Sequence, residues 1–154
     1  MAITYYKQQT PFTCSLAVLR MILTSFGRET TEVELARVVG FRPSVGVSMP
    51  MLAKACEIMN FDYELLKNTN IDGIKAFLSN NFHPIVLVKA KIYEKVTGEH
   101  GHFIIVKDIT DKNVIVNDPD REYGGENKLV DINIFEEAWN ASKSWLLVVK
   151  GESG

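Results

Sequence analysis

The apolar residues change their spacing half-way along the chain, and that change limits the fold more than any other feature of the sequence. Leu16, Leu19, Ile22, Leu23 and Phe26 recur three, four and seven positions apart, the stripe of an amphipathic helix that Gly27 stops. Thr31 followed by Glu34 is a capping-box pattern and predicts a helix through about Val39, before Gly40. A third helix begins at Ser48, with Pro50 tolerated in its first turn, and runs through Met59. Asn70 caps a fourth, Ile71–Leu78. From Pro84 onward the pattern is different. Pro84–Lys89, His102–Lys107, Asn113–Asn117 and Trp145–Val149 are short, β-branched-rich runs bounded by turn residues, and they read as strands. Several are apolar on both faces, as central strands packed against helices are. One short helix, Ile132–Trp139 after Asp131, interrupts them.

Helices first and strands later predict an α+β fold rather than a doubly wound sheet. The expectation is an antiparallel sheet, about 84–150, with a helical subdomain, about 8–80, against one side. A chain of 154 residues fits a single domain spanning 1–154, and no repeat or Pro/Gly-rich linker divides it. Charge and composition then exclude several classes of function. Seventeen basic against nineteen acidic side chains give a net charge of −2, and no tract is basic enough to follow a phosphate backbone, so nucleic acid is not an expected partner. No apolar run approaches the roughly 20 residues that span a bilayer. The N-terminus lacks the apolar segment and small-residue site of a secretory signal. Two cysteines, Cys14 and Cys56, are too few for a disulfide framework. The expected location is therefore cytoplasmic. The oligomeric state is left open.

Few residues carry chemistry. Cys14 follows Pro11, which sets an extended or turn-like approach, and Thr13 is placed to cap the helix whose first turn holds the thiol. Free amide hydrogens and the positive end of the helix dipole favour a thiolate there, whereas Cys56, in mid-helix beside Ala55 and Ile58, reads as packing. The alternative for Cys14 is a small buried hydrophobe. Met21, Met51 and Met59 fall on helical faces and read as core.

The strand from His102 and the strand Asn113–Asn117 form a candidate hairpin. A turn centred on Thr110 sets Val106 opposite Val114, Ile104 opposite Val116 and His102 opposite Asp118. Side chains opposite one another on one face lie about 4.5–5.5 Å apart at Cβ, within reach of a His–Asp hydrogen bond. Such a bond fixes the tautomer and leaves the second ring nitrogen to accept a thiol proton. A slip of one residue would bring Asn117 beside the imidazole instead.

Other groupings are weaker. His100 and His102 share a strand face, but no well-spaced third and fourth ligand accompanies them, so no metal or other cofactor is expected. Asp118-Pro119-Asp120 lacks the glycine and distal glutamate of an EF-hand and reads as a turn unless His102 claims Asp118. His83, before Pro84, reads as a loop residue.

Gln8, six residues before Cys14, with Ser15, Ala17, Met21 and Phe26-Gly27, resembles the N-terminal motif of the bacteriocin-processing, or double-glycine, cysteine peptidases. His102-Phe-Ile-Ile-Val and Asn117-Asp118-Pro119 resemble their second motif. The Pro84-Ile-Val strand and the Phe135–Trp139 helix extend the likeness over nearly the whole chain.

The resemblance implies a papain-like fold and a peptide or protein substrate, including a Gly-Gly leader peptide. It also implies roles: Cys14 as nucleophile, His102 as general base and then acid, Asp118 as its orienter, and Gln8 as oxyanion donor. Two positions depart from the family. Ser15 stands where glycine is usual, and Thr13 replaces a common acidic residue. Well-known relatives are fused to ABC exporters, and these 154 residues hold neither membrane helices nor an ATPase. Two other functions use the same fold: a peptide-binding module that Ser15 has disabled, and a deamidase or acyl transferase. The segments Gly40–Val47 and Lys91–Gly101 are the expected walls of the cleft.

Overall fold

Four helices begin where a short side chain takes up the free amide hydrogens of the first turn. Thr31 Oγ1 accepts from Glu34 N at 3.1 Å, Ser48 Oγ from Met51 N at 3.3 Å, Asn70 Oδ1 from Gly73 N at 2.9 Å and Asp131 Oδ1 from Asn133 N at 2.9 Å. The computed structural model describes residues 2–154. Its helices are α1 (Cys14–Ser25), α2 (Glu32–Val39), α3 (Met49–Ile58), α4 (Ile71–Ser79), α5 (Ala90–Tyr93) and α6 (Ile132–Asn140). Its strands are β1 (Phe61–Leu66), β2 (Ile85–Lys89), β3 (Gly101–Ile109), β4 (Asn113–Asp118), β5 (Gly125–Asp131) and β6 (Leu146–Glu152). Among the described residues, no helix is long and apolar enough to cross a membrane.

The strands form one antiparallel sheet in the order β1-β6-β2-β3-β4-β5. The fold is α+β and papain-like. Helices cover both faces, not one. On the first face, Leu16, Leu19 and Leu23 of α1, Leu35 of α2 and Leu52 of α3 pack on Phe103, Ile105 and Leu147. On the second, Ile74, Tyr93, Phe135 and Trp139 cover Val86, Ile104, Val106 and Val116. The N-terminal helices α1–α3 lie against one side as expected, and α4, α5 and α6 cover the other because strands apolar on both pleated faces must be shielded from water on both.

Two strands, β1 and β5, had no counterpart in the sequence reading, and they are the two edges of the sheet. Edge strands have a free side and a wetter face, so their apolar signal is weak. In β5 only Val130 is buried, while Glu126, Asn127 and Leu129 are exposed. Pairing with β4, rather than its own composition, makes this segment a strand.

The β3–β4 register also differs from expectation. Val106 opposes Val116 and Ile105 opposes Asn117; nearer the turn, Ile109 opposes Val114, with a bulge between Val106 and Asp108. Past the bulge, the partners lie two residues further along β4 than Thr110-centred pairing gave. A two-residue displacement preserves the facing of every side chain, because the pleat repeats every two residues. His102 and Asp118 thus remain on one face, as diagonal rather than direct neighbours.

Candidate active site

Asp118 ends β4 with no exposed surface, and its carboxylate is the hub of the site. His102 Nε2 donates to Asp118 Oδ1 at 2.6 Å, and the backbone N–H of Asp120 donates to the same oxygen at 2.9 Å. Tyr93 O–H donates to Oδ2 at 2.7 Å, and Lys128 Nζ stands 3.5 Å from that oxygen. Burial alone would raise the carboxyl, but the His102 hydrogen bond and charge, the Asp120 N–H and the Tyr93 hydroxyl outweigh it and hold it down at about 2. Burial likewise disfavours the charged imidazole. The bond to Asp118 and the neighbouring Cys14 side chain prevail, and His102 is held well above the usual histidine range.

Asn117 turns to the opposite face. Its Oδ1 accepts from Asn127 N at 3.0 Å, and its amide nitrogen lies 3.9 Å from Met21 Sδ. It is not the neighbour of the imidazole.

Cys14 is the first residue of α1 and is partly exposed. The expected cap is not formed. Thr13 has φ −111° and ψ 26°, which is not the extended geometry of a capping residue, and its side chain makes no bond to the first turn. Its Oγ1 instead exchanges hydrogen bonds with Thr10, accepting from Thr10 N at 3.2 Å and donating to Thr10 O at 3.3 Å. Thr13 therefore fixes the approach to α1 rather than its amide hydrogens.

That approach is pinned at several points. Gln8 N donates to Pro119 O at 2.9 Å, tying the segment to the loop after Asp118. Gln9 N donates to Glu32 Oε2 at 2.9 Å. The Gln8 side chain is 4% exposed; its Nε2 donates to Thr10 O at 2.9 Å and its Oε1 has no partner. One amide proton fixes the plane of the group, and the second remains for another acceptor.

Cys14, Ser15, Gln8 and His102 line one cleft of about 520 Å³. Phe41, Val45 and Val47 form one wall; Glu94, His100 and Gly101 stand in another, drawn from the two segments expected to flank the site. Ser15 is 2% exposed and sits in the lining directly after the thiol. Cys56 lies elsewhere, fully buried in α3, where burial pushes its thiol up to about 12. His83 is a half-buried loop residue by a separate cavity of about 350 Å³, and burial lowers its pKa. Among the described residues, no group of three or more His, Cys, Asp or Glu could hold a metal ion.

Sequence reasoning missed the support around Asp118. Tyr93 and Lys128 reach it from α5 and β5, elements that only the folded chain brings to β4. Gly124 was missed too. A Cβ there would lie 2.4 Å from Asp118 O and from Asp120 O, both backbone atoms that cannot swing aside. The close return of the loop after Asp118 requires glycine. Its one visible trace in the sequence is the Gly124-Gly125 pair.

A search of curated protein sequences returns no match. Among solved structures, the chain is similar to the peptidase domain of Streptococcus ComA, a bi-functional ABC transporter involved in a quorum-sensing pathway. The TM-score is 0.79 at 15% identity, over 98% of this chain and 100% of that one. It is also similar to a double glycine motif protease from an AMS/PCAT transporter, solved in complex with its leader peptide. There the TM-score is 0.69 at 14% identity, over 97% of this chain and 92% of that one. At such identities these likenesses establish the fold. The family comes from the sequence: a model of the Peptidase C39 family matches residues 2–153, so this chain belongs to that family and is a cysteine-type peptidase.

Proposed function

We propose that residues 1–154 form one peptidase domain that hydrolyses peptides through Cys14, His102 and Asp118, with Gln8 in the oxyanion hole. The observation that carries this reading is the 2.6 Å contact of His102 Nε2 with a fully buried Asp118, in a cleft that Cys14 also lines. With Nε2 committed to the carboxylate, Nδ1 is the nitrogen that exchanges a proton with the thiol.

The steps follow from these positions. The Cys14 thiolate attacks the carbonyl carbon, and the negative charge that develops on oxygen meets the second Nε2 proton of Gln8 and the Cys14 backbone N–H. His102 protonates the departing amine, leaving a thioester on Cys14. It then takes a proton from the water that hydrolyses the thioester. Asp118 never leaves the imidazole and keeps it in the tautomer both steps need.

The substrate class we propose is a peptide cut after Gly-Gly, as in a leader peptide. The support is the family match and the presence of a leader peptide in the related double-glycine protease structure. Free thiols at both Cys14 and Cys56 suit the reducing cytoplasm, where we place the protein.

The test is selective alkylation. Iodoacetamide at about pH 6 should label Cys14 in the native protein at least tenfold faster than in His102→Ala, because the imidazolium stabilises the attacking thiolate. Equal rates in the two proteins would remove the ion pair, and the mechanism with it.

A further inference from the structure

The cleft beside Cys14 has an uneven charge. Among its described lining residues are two acids, Glu94 and Asp120, and no lysine or arginine. Several nearby cations are held by other partners. Lys128 Nζ stands 3.5 Å from Asp118 Oδ2. Lys89 and Lys91 are both engaged by Glu99, each at 3.6 Å, and Arg121 Nη1 reaches back to Gln9 O at 3.5 Å. Glu94 is half-buried directly after α5, with no ion pair among the described residues. Burial, Asp120 and Asp118 all push its carboxyl up, against the pull of His102 and Lys128. One oxygen of Asp120 is occupied by the N–H groups of Glu122 and Tyr123, which fixes the side chain in the loop.

A second observation points the same way. Gln8 lines this cleft, is 96% shielded from solvent, and leaves its Oε1 acceptor unpaired. Apart from the histidines, the lining thus presents two carboxylates and an unpaired amide oxygen, with no lysine or arginine among its described residues. The lining residues from the other segment, Phe41, Pro43, Val45, Gly46 and Val47, are apolar. A bound peptide must supply what the site lacks.

We propose that Glu94, assisted by Asp120, selects substrates with a lysine or arginine in the first two residues of the leaving fragment. The side follows from the chemistry: Glu94 belongs to the His102 end of the cleft, and His102 is the group that protonates the departing amine. This inference rests on the peptidase reading given above.

The experiment uses the full chain and three synthetic decapeptides, each with Gly-Gly before the scissile bond. They differ only in carrying Lys, Gln or Glu at both leading positions of the leaving fragment. The expected order of kcat/KM is Lys, Gln, Glu, with about a tenfold span that shrinks between about 0.05 and 0.5 M salt. Glu94→Gln compresses the span, and Glu94→Lys reverses the order. Affinities of the same peptides for Cys14→Ala, measured by fluorescence anisotropy, follow the same ranking without any turnover. Cleavage with a flat ranking, or a ranking that Glu94→Lys leaves in place, overturns this proposal and spares the peptidase reading. Ranked binding without cleavage by the wild type overturns the mechanism and sustains the charge selection. If Glu94→Lys does not fold, the wild-type salt series decides: a ranking indifferent to salt overturns the proposal.

Discussion

Cys14 and Cys56 are the same side chain in two settings. Cys14 opens α1, where the amide hydrogens of the first turn point outward, and it shares a cleft with an imidazole whose pKa the bond to Asp118 helps raise well above the usual histidine range. Cys56 sits in the body of α3 with no exposed surface, and burial alone pushes its thiol up to about 12. Neither thiol is in a disulfide. What separates them is position: Cys14 is a partly exposed helix start lining a cleft, and Cys56 is a helix interior where burial disfavours the anion. In the mechanism we propose, reactivity belongs to the tertiary address of a sulfur, not to the sulfur.

The sharpest way to break the comparison is to remove each thiol in turn. Cys14→Ala should lower kcat on a cleaved peptide by at least about a thousandfold and leave the melting temperature nearly unchanged. Cys56→Ala should keep kcat within a few-fold and cost about 1 kcal/mol, because it leaves a small void in a close-packed interior. Steady-state kinetics beside thermal melts read both, and loss of turnover in Cys56→Ala would invert the assignment.

Acid titration probes what supports the Cys14 side of the comparison. The folded-state Asp118 carboxyl lies at about 2, below its ordinary 3.8, so its contribution is complete above about pH 4 and is lost as pH falls toward 2. By linkage that contribution is about 2 kcal/mol, and it represents one interaction shared with His102, counted once. The imidazole titrates in the opposite sense. Its raised folded value makes its contribution full below about pH 6.5, fading as pH climbs through the folded value. Urea midpoints of wild type should therefore drop more steeply between pH 4 and pH 2 than those of Asp118→Asn, which lacks the titrating group.

A far smaller effect on turnover than that of Cys14→Ala comes from Tyr93→Phe. It removes one donor from Asp118 Oδ2 and keeps the ring that packs 5.9 Å from the His102 ring. A lost hydrogen bond of about 1 kcal/mol predicts roughly a fivefold fall in kcat, and a matching fall in Cys14 alkylation. Cys56 labelling in unfolding urea should not change. A Tyr93→Phe protein indistinguishable from wild type would limit the support of Asp118 to its other partners.

The candidate site could be read from the sequence to an unequal degree. Cys14 and His102 stood out because each heads a strongly patterned element. Asp118 was reached by pairing two strands in a register two residues away from the real one. The contact survived because a two-residue displacement does not turn a side chain over. Thr13 was read as a cap from residue type alone, and its hydroxyl is engaged by Thr10 instead. Gly124 carries no side chain to announce itself; its importance lies in the backbone atoms of Asp118 and Asp120 pressed against it.

The sequence by itself determined every helix but α5, the caps at Thr31, Ser48, Asn70 and Asp131, and the central strands. These depend on neighbours within a few residues, whose spacing is written directly in the chain. Tertiary structure alone decided the edge strands, the second helical layer, the bulge in β3, and the closing of Tyr93 and Lys128 around Asp118. Those features depend on groups distant in sequence that meet only once both faces of the sheet are buried. Their energy comes from desolvation and charge at short range, which no local pattern encodes.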